Sequence, residues 1–348
     1  MSRSLPSNGI LGTPRLQVDY AEPGTLDAWL ARDDTLAAFG FGDDAPRSGD
    51  PRYLRVPLQP HGNGLLEVWR THAPVERGRE PAPAKAGGDI AWGRNAELSF
   101  GAIEVVEGEG GIIAAAEHAY ARLARFIADS RTPHLLRIWN YIDAITEGEG
   151  DAERYRQFCV GRARGLGTFD AQTLPAATAI GRCDADRVIQ IYWLASAVPG
   201  TPVENPRQVS AYRYPREYGP QPPSFARAML PPPGSAMPLL LSGTASVVGH
   251  RSLHAGRLLA QLDETFANFD SLIGAARTHA PGLPAHFGAS TRLKVYVRER
   301  SDLPLVAEAF AERFGGGVPH MILHAVICRR DLAIEIDGVH GTIAIAGA

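Results

Sequence analysis

The feature that most constrains the fold is an internal repeat, in which one order of predicted elements occurs twice. Between residues 96 and 194, and again between 239 and 337, apolar segments with the two-residue period of strands alternate with segments of helical period. Each copy follows the order β-α-β-α-β-β. The chain of 348 residues is therefore expected to be an α+β protein with two tandem units.

The predicted domain boundaries follow from this repeat. Residues 91–200 form the first unit and 239–348 the second, catalytic unit. Residues 1–90 are predicted to be an N-terminal arm followed by strands, because strand-like runs begin only after a stretch rich in glycine, proline and aspartate. Residues 201–238, which are rich in arginine, tyrosine and proline, are predicted to connect the two units.

The last two strands of each unit are predicted to pair with each other. A short polar turn separates 177–182 from 187–194 in the first unit, and another separates 324–329 from 332–337 in the second. Short polar turns between strand-like runs are typical of hairpins. We therefore expect a closing hairpin in both units.

One carboxylate, Glu335, lies in the middle of the otherwise apolar final strand. Burying a carboxylate is unfavourable unless it has a partner or a chemical task, so we expect Glu335 to be a general acid inside a catalytic pocket. Aligning the closing strands of the two units places Gln190 opposite Glu335. Either this position drifted in a duplicated scaffold, or only the second unit kept its chemistry; we favour the second interpretation.

The composition argues against several classes of function. The net charge of −3 disfavours a nucleic-acid or acidic-membrane partner, and no apolar run approaches the roughly 20 residues of a membrane span. The cysteines Cys159, Cys183 and Cys328 are too far apart for a metal site, and their odd number, with an N-terminus unlike a signal peptide, favours a cytoplasmic protein. The sequence contains no dinucleotide, phosphate-loop or serine-hydrolase motif.

The connecting segment carries arginines and tyrosines suited to binding a small carboxylate. Guanidinium groups bind carboxylates through two parallel hydrogen bonds, and tyrosine hydroxyls add directional ones. The candidates are Tyr212, Arg213, Tyr214 and Arg216. An exposed linker with solvated arginines is the alternative, and single-stranded nucleic acid is disfavoured by the negative net charge.

Two strands of the second unit carry further candidates. The first ends in Ser242 and Gly243, where either a ligand lies against the backbone or the strand has a bulge. On the other strand, Lys294, Tyr296 and Arg298 share one face. That face is either a cationic wall of the pocket or a solvated surface.

The second unit resembles the Rid/YjgF family. The resemblance rests on the strand that ends in Ser242 and Gly243, on Asn268 in the following helix, and on the late Glu335. That family forms trimers with pockets between subunits, which implies a pseudo-trimeric arrangement of the two units and the N-terminal extension. A monomer fits this arrangement, and a weak homo-oligomer stays open. His320 stands where the family has an arginine, so enamine or imine deaminase activity is only an alternative.

Nearly the whole chain resembles the chorismatases, most specifically in 205–219, 242–250 and 328–336. The resemblance implies cleavage of the enolpyruvyl ether of chorismate, with Glu335 protonating the methylene carbon. Cys328 resembles the cysteine of members that form aromatic products. No metal or organic cofactor is implied.

The product is the finer expectation. Leu241 stands at a position that is small in the hydrolytic and 3-hydroxybenzoate-forming members, so the resemblance implies the bifunctional type, which makes 3- and 4-hydroxybenzoate, as in a pigment pathway. Hydrolysis to a dihydroxycyclohexadiene carboxylate is one alternative. A ligand-sensing module without catalysis is another.

Overall fold

The computed structural model describes residues 14–83, 87–167 and 170–342. Three sheets follow one another along the chain, together with a separate two-stranded ribbon. Apolar side chains from all three sheets meet in one core, which includes Phe39, Trp69, Trp139, Tyr192 and Tyr296. Within the described ranges, no helix has both the length and the apolar character needed to cross a membrane.

The N-terminal sheet contains four strands in the order β1-β4-β2-β3. Its strand β2 is buried along its whole length, and Leu26 and Leu30 of α1 pack against Leu66 and Val68. The elements are β1 Gln17–Ala21, α1 Leu26–Ala31, β2 Thr35–Phe41, β3 Tyr53–Val56 and β4 Leu66–Arg70.

The first unit forms a sheet in the order β9-β8-β10-β7-β6-β5, with two helices, and β18 (Val326–Ile327) of the second unit adds a seventh strand beside β9. Helices α2 and α3 pack closely because Gly161 and Gly165 have no side chain. A Cβ at either glycine would collide with a backbone carbonyl of α2. The elements are β5 Glu76–Glu80, β6 Ile90–Arg94, β7 Leu98–Val106, α2 Gly111–Ala128, β8 His134–Asp143, α3 Arg154–Leu166, β9 Ala176–Arg182 and β10 Val188–Ser196.

The second unit forms a six-stranded sheet in the order β11-β12-β13-β19-β16-β17, and β14 pairs with β15. Helix α5 ends at Phe314 and is capped by Gly315, whose φ of 54° suits a glycine C-terminal cap. The elements are β11 Thr201–Val203, β12 Ala228–Leu230, β13 Leu239–Ala245, β14 Val247–Val248, β15 Arg251–Ser252, α4 Leu258–Arg277, β16 Thr291–Val297, α5 Leu303–Phe314, β17 His320–His324, β18 Val326–Ile327 and β19 Ile334–His340.

The internal repeat is confirmed by the sheet order. The first unit contains the order β9-β8-β10-β7, and the second contains β17-β16-β19-β13. The pairing directions also agree, because β8 and β9 are parallel, as are β16 and β17. The register places Gln190 opposite Tyr141 and Glu335 opposite Tyr296, which agrees with the predicted equivalence of Gln190 and Glu335.

The N-terminal sheet repeats the same order in reduced form. Its order β1-β4-β2-β3 matches β7-β10-β8-β9, α1 stands in the place of α2, and β2 and β3 are parallel. The second helix of the repeat has no counterpart between β2 and β3. The N-terminal region is therefore more than an arm, because it supplies a third, smaller copy.

The predicted closing hairpins are wrong in both units. Strand β9 lies parallel to β8, and β10 pairs with the opposite edge of β8, so β9 and β10 do not pair with each other. A strand that follows a crossover helix returns parallel to the strand before the helix, and this rule outweighs the short turn. The predicted strand 324–329 is also divided. It ends β17 at His324, and then β18 crosses over to pair with β9 of the first unit.

Candidate active site

A cavity of about 320 Å³ lies between the first and the second unit. Strand β9 and helix α3 of the first unit form one wall, while β13, β19 and the turn after β18 form the other. The connecting segment contributes Gln208, Tyr214, Tyr218, Phe225 and Arg227 to the lining. The pocket is thus built where two copies of the repeat meet.

Glu335 lines this cavity but is almost completely buried, with 5% of its surface exposed. Burial is the main reason why its pKa is raised to about 8, and the nearby negative charge of Asp337 raises it further. The arginines Arg137, Arg329 and Arg227 oppose this shift. Much of the carboxyl is therefore protonated at neutral pH, as a general acid requires.

Gly243 lets the backbone approach the Glu335 carboxyl. The pairing of β13 with β19 shifts its register between Leu241 and Thr244, so the bulge interpretation is correct, and Gly243 lines the cavity at the same point. A Cβ at position 243 would collide with Glu335 Oε1 and would lie 3.3 Å from Thr178 Oγ1. Only glycine leaves the carboxyl in place.

Cys328 lies beside the acid, with its Sγ 4.0 Å from Glu335 Oε2. Burial, and then the neighbouring Glu335, raise the pKa of this thiol far above its usual range. Cys159 of α3 also lines the cavity, and burial raises its pKa to about 12. Both groups are neutral thiols, so this part of the wall is weakly polar.

Two buried arginines that line the described cavity have unused hydrogen-bond donors. Arg162 donates through Nη1 to the Ser224 carbonyl and hydroxyl, both at 2.7 Å, and Arg227 donates to Val209 O and Tyr214 OH. Among the described residues, Arg162 Nε and Nη2 and Arg227 Nε have no partner. Unpaired guanidinium N–H groups at a cavity favour an anionic ligand.

Arg329 holds the connecting segment against the cavity. Its guanidinium lies 4.3 Å from the ring centre of Tyr218 and 5.1 Å from that of Tyr214. Its Nη1 donates to the carbonyl of His250 at 2.9 Å. Neither Arg329 nor Arg162 was predicted to bind substrate, although Arg329 lies in the segment 328–336 that resembles the chorismatases; only the tertiary structure brings the two together.

The predicted binding residues of the connecting segment are divided. Tyr214 lines the cavity, whereas Tyr212, Arg213 and Arg216 do not. Arg216 is exposed and forms an ion pair with Asp151 at 2.5 Å. Arg213 is exposed and lies 5.6 Å from the ring centre of Tyr212.

Of the strand β13 candidates, Gly243 reaches the cavity and its two neighbours serve the fold. Ser242 Oγ accepts from the amide of Ala177 at 2.9 Å and donates to Ala226 O at 2.6 Å, which joins the two units. Leu241 is completely buried in the core of the second unit and does not line the cavity. His320 of β17 does not line the cavity either; it is half-buried, and its ring centre lies 4.7 Å from that of Phe310.

The strand β16 candidates form neither a solvated face nor a lining of the cavity. Lys294 Nζ is buried 2.9 Å from Glu67 Oε2 of the N-terminal sheet, and Tyr296 OH donates to Asp337 at 3.0 Å. Arg298 holds the turn that carries Cys328 and Arg329. It donates to the carbonyl oxygens of Ile327, Arg329 and Leu332.

The equivalent position in the first unit is closed. Gln190 is buried, and its Nε2 donates to Arg55 O of the N-terminal sheet at 2.9 Å and to Glu104 Oε1 at 2.5 Å. A carboxamide has no acidic proton to give to a ligand, and both hydrogen bonds of this one are made inside the fold. The asymmetry between Gln190 and Glu335 therefore agrees with one functional pocket.

Fold and site together define an α+β protein with fused repeats and a buried acid at the cavity between them. A family model described as "Chorismatase FkbO/Hyg5-like, N-terminal" matches residues 67–195. A chorismatase from Streptomyces rapamycinicus is 37% identical over 84% of this chain and 86% of its own length. A 3-hydroxybenzoate synthase from Streptomyces hygroscopicus is 34% identical over 81% of this chain and 83% of its own length.

A solved chorismatase structure shares the fold. It superposes with a TM-score of 0.80 at 32% sequence identity, covering 94% of this chain and 99% of its own. The chain belongs to the chorismatase family. The family resemblance predicted from the sequence is thereby confirmed.

Proposed function

We propose that this protein cleaves the enolpyruvyl ether of chorismate and releases pyruvate, with Glu335 as the general acid. The observation that carries the proposal is a carboxyl group whose pKa is raised to about 8 by burial at a cavity. Family relatives named chorismatase and 3-hydroxybenzoate synthase support the choice of substrate. The cavity volume of about 320 Å³ suits a small molecule of this size.

The cations at the cavity suit a substrate with two carboxylates. Arg162 and Arg227 come from different elements and have N–H groups without partners among the described residues. We infer that they bind the carboxylates of chorismate, with Arg329 supporting the segment that carries Arg227. Arg216 is exposed and pairs with Asp151, and Lys294 is buried and pairs with Glu67. Neither takes part in this proposed binding.

The chemistry begins with proton transfer. Glu335 gives its proton to the methylene carbon of the enol ether, which produces an oxocarbenium ion, and the carboxylate left behind stabilises that cation. In the hydrolytic outcome, water adds to the cation, and the resulting hemiketal collapses to pyruvate and a diene diol. In the aromatic outcome, the C4 hydroxyl of the ring adds to the cation in place of water, returns its proton to Glu335 and closes a cyclic ketal. The ketal breaks one ring C–O bond and the other C–O bond of the ketal carbon, and a ring proton moves to the freed ring oxygen, which leaves pyruvate and a hydroxybenzoate.

We propose the aromatic outcome, with 3-hydroxybenzoate, 4-hydroxybenzoate or both as products. Hydrolysis consumes one water, whereas either hydroxybenzoate plus pyruvate contains the same atoms as chorismate. Excluding water therefore favours the aromatic products. The neutral thiol of Cys328, 4.0 Å from the acid, occupies space where water could otherwise approach the cation.

The test is incubation with chorismate, with pyruvate measured by a coupled assay and the aromatic product identified by chromatography. Replacing Glu335 with glutamine is expected to lower pyruvate release by at least about 100-fold while chorismate still binds in calorimetry. The matched control is Glu104→Gln, because Glu104 is the acid beside Gln190, at the equivalent position of the first unit. Near-native pyruvate release by Glu335→Gln would exclude Glu335 as the acid.

A further inference from the structure

A second carboxylate, Asp337, lies two residues beyond Glu335 on strand β19 and is completely buried. Its Oδ2 accepts four hydrogen bonds, and the donors come from both units. They are Thr178 Oγ1 at 2.7 Å, Trp139 Nε1 at 2.9 Å, Tyr296 OH at 3.0 Å and Arg137 Nη2 at 3.1 Å. So many donors hold the ionised form of Asp337 in one orientation.

Thr178 connects this carboxylate to the cavity. It lies on β9, lines the cavity, and donates its only hydroxyl proton to Asp337. One lone pair of Thr178 Oγ1 accepts from Arg137 Nη2 at 2.5 Å. The remaining lone pair of Thr178 Oγ1 is a hydrogen-bond acceptor beside Glu335, because both side chains approach the same point above Gly243.

The sequence interval places the two carboxylates on the same face of β19. A negative charge on Asp337 disfavours a second negative charge on the neighbouring Glu335, and the buried environment strengthens this effect. The charged and titratable groups that act on Glu335 or lie beside it come from several elements: Asp337 from β19, Arg137 from β8, Arg227 from the connecting segment, Cys328 and Arg329 from the turn after β18, and Tyr155 from α3.

We propose that Asp337 is a positioning residue, which acts on Glu335 through its fixed charge and on the bound substrate through the acceptor that it orients on Thr178. This inference rests on the proposed function of Glu335 as the acid. Arg137 is the buried counterion of Asp337, and Lys294 Nζ lies 3.8 Å from Asp337 Oδ1. Lys294 of β16, which was predicted to bind substrate, would thus act on Glu335 only indirectly, through Asp337.

The experiment titrates the Glu335 carboxyl directly, by difference infrared spectroscopy of ligand-free protein, with the band assigned by its absence in Glu335→Gln. In Asp337→Asn the midpoint of this titration is expected to fall by at least about one pH unit. The control Asp263→Asn, at an exposed carboxylate of α4, should leave it unchanged. An unchanged midpoint in folded Asp337→Asn would overturn the proposal.

Thr178 variants test the second arm. Thr178→Val is expected to lower kcat for chorismate about tenfold or more without moving the midpoint, and Thr178→Ser should restore most of it. Because Asp337→Asn leaves Arg137 without its anion, the double variant Asp337→Asn/Arg137→Gln repeats the titration if the single variant does not fold. If neither folds, equal kcat values for Thr178→Val and Thr178→Ser overturn the proposal.

The two proposals fail in different ways. If the native protein does not turn over chorismate, the proposed function is wrong, while the infrared titration still measures whether Asp337 controls Glu335. If turnover is normal and the midpoint does not move in Asp337→Asn, only the role of Asp337 is refuted.

Discussion

The carboxyl of Glu335 occupies the space above the Cα of Gly243 that the Cβ of any other residue would need. The two residues come from adjacent strands, β19 and β13, and the bulge in β13 brings them together. The position of the Glu335 carboxyl therefore depends on the absence of a side chain at position 243.

This contact gives a first prediction. Gly243→Ala should force the Glu335 carboxyl to move, and we expect pyruvate release to fall about tenfold, since small displacements of a catalytic group have large effects on rate. Steady-state kinetics measure the change. Gly274→Ala is the matched control: a Cβ there meets nothing within 4 Å, and alanine should stabilise α4. Equal rates for Gly243→Ala and the control would contradict the prediction.

The raised pKa of Glu335 predicts the pH dependence of catalysis. In the proposed mechanism Glu335 reacts only while protonated, so kcat for chorismate should fall as pH rises through about 8. A pH–rate profile between the acid limit of stability and strongly basic pH tests this. A profile whose basic limb begins near the ordinary pKa of a glutamate would rule out a protonated Glu335 as the reacting form.

The same pKa predicts a change in stability with pH. Since the folded protein holds the Glu335 proton more tightly than the unfolded chain, this contribution is complete below the unfolded pKa and is lost as pH rises through about 8. Between these limits, the free energy of unfolding should fall relative to Glu335→Gln by on the order of 3 to 5 kcal/mol. Denaturant titrations at several pH values measure the difference. Parallel curves for the two proteins would show that the carboxyl is not perturbed.

The buried arginines predict a loss of substrate affinity. Arg162→Met keeps the volume but removes the donors without partners, so KM for chorismate should rise about ten- to hundredfold, the value of a charge-assisted hydrogen bond. Arg216→Met removes an exposed arginine outside the cavity and should change KM little. Similar KM values for the two variants would contradict the assignment of substrate binding to Arg162 and would leave Arg216 of the connecting segment as a candidate.

Cys328 predicts the distribution of products. Cys328→Ala opens space next to the acid, so water should reach the cation and the share of diene diol should rise, while total pyruvate release changes less. Chromatography of the products gives the ratio. An unchanged product ratio would show that the thiol does not exclude water.

The closing strands show how far local pattern can be used. The strands themselves were predicted, because alternating and β-branched residues are a local signal. Their partners were not: β9 and β10 flank β8, and the run after His324 ends one strand and continues as β18 on the other unit. Partner choice depends on where the crossover helices return the chain, which short-range pattern does not contain.

The sequence alone determined the duplicated order of elements and pointed to Gln190 and Glu335 as matching positions, with Glu335 as the candidate acid, because each inference rests on residues close together along one strand or on a repeat visible in the chain. Only the tertiary structure decided which cations face the cavity. Lys294, Arg213 and Arg216 had the expected chemistry but lie elsewhere, whereas Arg162 and Arg329 reach the cavity from α3 and a turn. A cavity between two units is lined by residues distant in sequence. Packing, rather than the local sequence, decides which of their charged side chains face the cavity.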